Sequence, residues 1–247
     1  MYRLEICANS VASCEEAQRG GAYRVELCAG IPEGGTTPSY GEIMVARELL
    51  NIKLNVIIRP RGGDFLYSDI EFKTMLNDIE ICKKAGVDGV VFGCLTADGE
   101  IDMEKNSELI KASEGMSTTF HRAFDRCKNP MESLESIISL GFDRILTSGG
   151  ESKAEQGVGL LKELVKKADS RIIIMPGSGI NEENIKEIAR KTGAKEFHLS
   201  ARLPVESGMK FRNSGFSMGG ENISIDEYKM LITSAERVRK TLNNLMD

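Results

Sequence analysis

Short apolar runs recur along this chain, and each is followed by a polar loop and a segment whose apolar residues repeat with the helical period. The eight runs are Leu4–Cys7, Arg24–Cys28, Leu54–Arg59, Val87–Gly93, Thr118–Arg122, Arg144–Gly149, Ile172–Gly177 and Glu196–Ser200. Eight strand–helix units are what a closed parallel barrel requires, so the pattern predicts an α/β protein in which residues 1–247 form a single (β/α)8 TIM-barrel domain. An open doubly wound sheet is disfavoured, because the first strand–helix turn has no GxGxxG motif.

Several helix starts are marked by capping boxes, in which an N-cap residue precedes a glutamate by three positions. They lie at Ser39–Glu42, Ser68–Glu71, Asn129–Glu132, Ser152–Glu155 and Ser224–Glu227. Gly86, Gly141 and Gly193 stand where a left-handed C-cap would end a helix. The last capping box is followed by an apolar stripe of helical period from Tyr228 to Leu242, which predicts one continuous helix there.

Two connections are longer than a compact barrel needs. Residues 29–38 and 201–223 are both polar and rich in glycine, and we predict loops for them. Long loops in compact domains are usually functional or disordered. The second loop follows strand eight and contains Arg202, Lys210 and Arg212, so a lid, a subunit contact and a mobile strap are all open interpretations of it.

Charge and composition narrow the range of partners. The net charge of −5 argues against nucleic-acid binding, which requires a basic protein surface. No apolar run approaches the roughly 18 residues needed to span a membrane, and the chain enters a strand at once without an apolar signal region. The six cysteines form no CxxC pair and no compact zinc spacing, as expected for reduced thiols in the cytoplasm. The expected partner is a small anionic ligand or a metal ion, and a homo-oligomer remains open.

Side-chain alternation selects which strand residues point into the barrel. If the apolar residues face the helices, the inward set at the strand ends contains both histidines of the chain. We predict a pocket of catalytic type formed by Glu5, Glu26, Arg59, His121 and His198, with a histidine or a glutamate as general acid or base. Glu5 and Glu26 would lie about 4.8 Å apart on neighbouring strands. They would then share a proton, bind a cation, or be neutralised by Arg59 in a purely structural network.

Glycine-rich turns after strands six and seven predict a second element, an anion site. Glycine lets backbone N–H groups approach an anion, and barrels commonly bind phosphate near strands seven and eight. The predicted anion-binding residues are Arg61, Ser148, Gly149, Gly150, Gly177, Ser178 and Gly179. In strand six, Ile145 and Thr147 would point inward if Leu146 packs outward.

Cys7 and Cys28 follow Glu5 and Glu26 by two residues and are therefore also predicted to point inward. Two neighbouring thiols can bind a soft cation such as Cu(I), but they can equally be small apolar fillers, and spacing alone leaves both interpretations open. A divalent metal such as Zn or Mn between the two glutamates and the two histidines is a further alternative, as is no cofactor at all.

The same stretches resemble the CutC family of copper homeostasis proteins. The similar segments are residues 4–10 (LEICANS), 24–39, 57–65 (IIRPRGGDF), 120–125 (FHRAFD), 145–150, 177–180, 198–202 and 205–213. The resemblance implies a TIM barrel in the cytoplasm with a role in copper tolerance, and it places proposed copper ligands on Cys7 and Cys28. Two functions therefore compete: a copper-binding homeostasis protein, and an enzyme of unknown reaction acting on a small anionic or phosphorylated metabolite.

Overall fold

The computed structural model describes residues 1–213 and 226–246, and eight parallel strands in it form the predicted barrel. These strands are β1 (Arg3–Ala8), β2 (Arg24–Leu27), β3 (Lys53–Ile57), β4 (Gly89–Phe92), β5 (Ser117–Phe120), β6 (Arg144–Thr147), β7 (Ile173–Pro176) and β8 (Glu196–Leu199). Each strand pairs with its neighbours in chain order, and β1 also pairs with β8. A bridge between Gly177 and His198 brings β7 against β8, so the (β/α)8 prediction is confirmed.

Helices surround the strands and cover their outward faces. They are α1 (Val11–Arg19), α2 (Tyr40–Leu49), α3 (Asp69–Ala85), α4 (Met103–Ala112), α5 (Pro130–Leu140), α6 (Val158–Ala168), α7 (Ile185–Thr192) and α8 (Ala235–Met246). Outward strand residues such as Leu4, Val25 and Phe197 are fully buried between the two layers. None of these helices, within the described part of the chain, is long and apolar enough to cross a membrane.

Ionised side chains fill the barrel beneath its carboxyl end. Arg24 donates to Glu5 and, at 2.7 Å, to Glu196, while Arg144 donates to Glu196 at 3.3 Å. All four residues are buried. Buried charges are tolerated only when they are paired and hydrogen-bonded, and this network satisfies that condition.

Local capping signals account for several helix ends. Ser39 and Ser68 form complete capping boxes with Glu42 and Glu71. Asn129 caps α5 ahead of Pro130, and Gly86, Gly141 and Gly193 end their helices with positive φ. The capping box expected at Ser152 is wrong, because α6 begins only at Val158. The Ala154 N–H donates instead to Ser178 O at 3.0 Å, so a tertiary contact holds this segment as a turn.

The connection after β8 contains a strand that the loop prediction for residues 201–223 missed. β9 (Arg202–Glu206) pairs antiparallel with β10 (Lys229–Thr233), and α8 begins only after this pair. The continuous helix predicted from Tyr228 is therefore wrong in its first part, while Ser224 lies outside the described residues. The pairing partners are 23 to 31 residues apart in the chain, and local periodicity does not detect such a partner.

The inward and outward faces of β6 are the reverse of the prediction. Arg144 reaches Glu196 inside the barrel and Leu146 lines the cavity at the carboxyl end, whereas Ile145 packs in the layer between strands and helices. Thr147 shares the outward face by alternation. The assumption that the apolar residue points outward fails here because both faces of this strand carry an apolar residue.

Candidate functional site

A cavity of about 300 Å³ opens at the carboxyl ends of the strands. Its walls include six of the predicted strand-end residues, namely Cys7, Glu26, Cys28, Arg59, His121 and His198. A larger groove of about 620 Å³ lies at the amino ends, where Asp88 is already paired with Arg47 and Lys53. Because barrel enzymes and binding proteins of this fold use the carboxyl end, we take the smaller cavity as the candidate site.

Glu5 lies beneath the cavity and orients His198. The β1 register sets Glu5 opposite both Arg24 and His198, and its Oε1 lies 2.7 Å from His198 Nδ1. Burial would raise the pKa of Glu5, but Arg24 and His198 outweigh burial and hold that pKa well below its ordinary value. The arginine that neutralises Glu5 is therefore Arg24, and the predicted role of Arg59 in that network is wrong.

Glu26 does not stand beside Glu5 as predicted. The register sets Glu26 opposite Cys7, one inward position farther along the barrel than Glu5. Burial raises the pKa of Glu26 to about 8, and the opposing effect of His198 is not sufficient to cancel it. Glu5 is thus ionised and Glu26 largely protonated at neutral pH, so the structure separates the two carboxyl groups in both position and charge.

The two cysteines meet at the cavity wall. Cys7 Sγ lies 3.9 Å from Cys28 Sγ, and Cys28 Sγ lies 3.3 Å from Glu26 Oε2. The hydrogen bond from Cys28 lowers the pKa of Cys7 well below its ordinary value, and His198 and Arg202 lower it further against the effect of burial. Arg202 Nη2 lies 3.2 Å from Cys7 Sγ. These shifts favour the thiolate form of Cys7, with Cys28 as its hydrogen-bond donor.

His198 completes this group. Burial opposes its protonation, but hydrogen bonds with Cys7 and Glu5, together with the charge of Glu5, raise the pKa of His198 well above its ordinary value. Ligand atoms of Cys7, Glu26 and His198 all lie within 4.8 Å of one another, which is close enough to hold one metal ion. Because Nδ1 faces Glu5, Nε2 is the nitrogen on the metal side, an arrangement typical of metal-binding histidines.

Arg59 and His121 lie apart from the cysteine group on another wall of the cavity. Arg59 donates to the carbonyls of Glu33 (2.8 Å), Gly35 (2.7 Å) and Gly63 (2.9 Å) and so holds the 29–38 connection in place. His121 Nδ1 accepts from the Ala123 N–H at 3.4 Å. The metal-binding group found in the described ranges does not include His121, so the structure does not assemble the alternative site of two glutamates and two histidines.

The turn after β6, predicted to bind an anion, is filled by a carboxylate of the protein itself. Asp125 accepts from the Ser148 and Gly150 N–H groups, each at 3.1 Å, and from Thr147 Oγ1 at 2.5 Å. Its charge also pairs with Arg122. The N–H groups of this turn are therefore unavailable to an external phosphate.

The other residues of the predicted anion site are also engaged. The Gly177 N–H donates to Thr147 O at 3.0 Å as part of the strand ladder, and Ser178 Oγ donates to Ser152 O at 2.8 Å. A Cβ on Gly179 would come within 2.9 Å of Lys153, so the Lys153 side chain covers this turn. Arg61 is paired with Glu71 and Asp64 on the surface.

Four residues of this region were missed by sequence reasoning: Arg24, Asp125, Glu196 and Arg202. Arg24 and Glu196 precede Glu26 and His198 by two positions, so extending the same alternation by one step would have found them. No periodic signal marks Asp125 or Arg202, because both lie beyond the ends of the barrel strands.

Comparison with known proteins places the chain in a family. The CutC family model matches residues 2–203. A CutC family protein of Bacteroides thetaiotaomicron is 60% identical over 242 residues, covering 98% of this chain and 97% of that protein. The Homo sapiens protein named copper homeostasis protein cutC homolog is 49% identical over 242 residues, covering 98% and 88%. A solved CutC structure from Streptococcus agalactiae has a TM-score of 0.78 at 37% identity, covering 81% of this chain and 99% of that chain. The chain therefore belongs to the CutC family.

Proposed function

We propose that this CutC-family protein binds one Cu(I) ion between Cys7 and Cys28 and takes part in copper homeostasis in the cytoplasm. The observation behind the proposal is the sulfur–sulfur distance of 3.9 Å. Two thiolates that share one metal ion at about 2.3 Å each lie about 3.8 to 4.0 Å apart for bond angles between tetrahedral and trigonal. Thiolates are also the ligands that suit Cu(I) among the metals of proteins.

The register of the strands favours a metal over a disulfide. Cys7 stands opposite Glu26, so Cys28 lies two residues farther along the neighbouring strand. With strands about 4.8 Å apart and about 3.3 Å per residue, the two Cα atoms are about 8 Å apart. Cysteines whose Cα atoms are more than about 7 Å apart do not form a disulfide without backbone movement. We therefore expect the pair to remain reduced and available to a soft cation.

Metal binding in this site requires the loss of the Cys28 proton. The pKa of Cys7 is lowered well below its ordinary value, whereas pairing with Cys7 raises the pKa of Cys28 well above its ordinary value. The positive charge of the ion opposes that shift, and metal binding to cysteine releases protons. This proton leaves to solvent, because Glu26, with a pKa of about 8, is itself largely protonated at neutral pH.

A Cu(I) titration under anaerobic, reducing conditions against a competing chelator tests the proposal. We expect one ion per chain in the parent protein and at least a hundredfold weaker binding in Cys7→Ser/Cys28→Ser, because hydroxyls are poor ligands for soft cations. Cys127→Ser is the matched control, since Cys127 is also half-buried but does not line the cavity. Unchanged affinity in the double variant would refute the copper site.

An enzyme acting on a small anionic metabolite is the second candidate, and the charge pattern of the same residues supports it. A Cys7 thiolate beside a protonated His198 resembles the activated pair of cysteine nucleophiles, and Glu26 with a pKa of about 8 would serve as general acid. The two candidates differ in the need for Cys28. Copper binding requires both thiols, whereas a nucleophile requires Cys7 alone. Strong copper sensitivity in cells carrying Cys28→Ser would therefore favour the copper-binding function, and full copper tolerance would favour the enzyme.

A further inference from the structure

Arg59 is a buried cation without a counter-ion. Arg59 is only 4% exposed, yet among the described residues its guanidinium donates to three backbone carbonyls and to no carboxylate. Arg24 and Arg144, the other buried arginines of the barrel, each pair with Glu196. An unpaired buried charge is costly, and Arg59 Nε has no hydrogen-bond partner in the part of the chain that the structure describes.

His121 lines the same cavity and has a second donor without a partner among the described residues. Its Nδ1 accepts from the Ala123 N–H, so in the neutral ring the proton is on Nε2. Burial, together with the charge of Arg59, lowers the pKa of His121 to about 3 and keeps the ring neutral. His121 is 4% exposed, and its Nε2 has no partner among the described residues.

Phe65 holds these two donors in one wall. The Arg59 guanidinium carbon lies 5.2 Å from the centre of the Phe65 ring, and the Phe65 and His121 rings meet edge to face at 4.8 Å. Arg59, Phe65 and His121 all line the 300 Å³ cavity. A Cβ on Gly93 would approach His121 Nδ1 within 3.0 Å, so the glycine leaves the space that the imidazole occupies.

We infer that Arg59 and His121 bind the carboxylate group of a small molecule in this cavity. Three of the five Arg59 N–H groups donate to carbonyls, so its Nε–H and one Nη2–H remain, and the His121 Nε2–H is a third donor without a partner among the described residues. The adjacent Nε–H and Nη2–H of an arginine form a planar fork that matches the two oxygens of a carboxylate, and the His121 Nε2–H would donate to one of the same oxygens. The cavity volume is at the small end of the range for metabolite sites. This inference does not depend on copper, because neither cysteine belongs to the proposed subsite.

Binding of acetate, pyruvate, succinate and inorganic phosphate to the metal-free protein at pH 7, followed by NMR titration, tests the inference. We expect saturable binding of at least one carboxylate, weakened about tenfold to a hundredfold in Arg59→Met, which loses a charge-assisted hydrogen bond. Arg61→Met is the matched control, because Arg61 lies in the same turn but is paired with Glu71 and Asp64, and its affinity should match the parent. Cys7→Ser/Cys28→Ser should also retain carboxylate binding, which separates this site from the copper site.

His121→Phe provides an independent variant if Arg59→Met fails to fold. Phenylalanine retains the ring contact with Phe65 but removes both the Nε2 donor and the Nδ1 acceptor of the Ala123 N–H, so we expect several-fold weaker carboxylate binding with a small fall in melting temperature. Three results would overturn the inference: no saturable binding of any of the three carboxylates, binding that is unaffected by His121→Phe, or tighter binding of phosphate than of every carboxylate.

Discussion

Replacement of Arg24 by methionine tests whether the buried charges beneath the cavity form one interdependent network. Arg24 is 4% exposed and donates to both Glu5 and Glu196, so Arg24→Met leaves two buried carboxylates with fewer partners. Removing one member of a buried ion pair costs about 3–5 kcal/mol. Glu5 retains His198, and Glu196 retains Arg144, so we expect a loss near the lower limit, about 3 kcal/mol.

Urea denaturation at pH 7, followed by circular dichroism, measures this loss of unfolding free energy. Arg3→Met is the matched control, because Arg3 pairs with the same Glu196 at 3.2 Å but its side chain is 42% exposed. Exposed ion pairs contribute about 0–1 kcal/mol to stability. The unfolding free energy of Arg3→Met should therefore fall by no more than about 1 kcal/mol. Adding Glu5→Gln to Arg24→Met should cost less than the sum of the two single changes, because the pair is already broken. A loss for Arg24→Met no larger than that of Arg3→Met would refute the network.

Two further predictions concern titratable groups of the cavity. His121 has a pKa of about 3 when folded and an ordinary value of 6.5, so the unfolded chain binds the extra proton and unfolding free energy should fall as pH decreases from about 6.5 towards 3. His121→Phe should reduce this fall by several kcal/mol in acid denaturation curves, and an identical pH dependence would contradict the assigned neutral imidazole. Cys7 should be alkylated by iodoacetamide at pH 7 faster than Cys127, whose pKa burial raises to about 11, and Arg202→Met should slow the reaction, as measured by mass spectrometry. Faster labelling of Cys127 would exclude the Cys7 thiolate.

Strand alternation predicted which residues reach the cavity but not their relative positions along the barrel axis. Period-two alternation depends only on the residues of one strand, and it brought six of the predicted side chains to one cavity. The position along the axis depends on how neighbouring strands are staggered, and that stagger is set by all eight strands of the closed barrel together. For this reason Glu26 lies level with Cys7 rather than with Glu5, and the expected carboxylate pair does not form.

The failures at strand ends have a different cause, namely tertiary contacts that compete with local signals. The Ser152–Glu155 motif satisfies the sequence rule for a helix start, but its backbone pairs with the turn after β7 instead. Glycines of the Ser148–Gly150 turn do form an anion-binding backbone, as their type suggested, but the anion is Asp125. The local sequence thus predicted that this turn can bind an anion. It did not predict which anion binds, because Asp125 lies more than twenty residues away in the chain.

The position of Asp125 also explains why the binding groups concentrate on the other strands. Phosphate in barrels commonly binds at the turns near the last strands, where backbone N–H groups converge. Here one such turn already holds Asp125 and another is covered by Lys153. The groups left unsatisfied in the cavity wall are instead Arg59 Nε and His121 Nε2 on one side and Glu26 Oε1 near the cysteines on the other. The two proposals together place a bound carboxylate and a bound Cu(I) ion side by side in the same cavity.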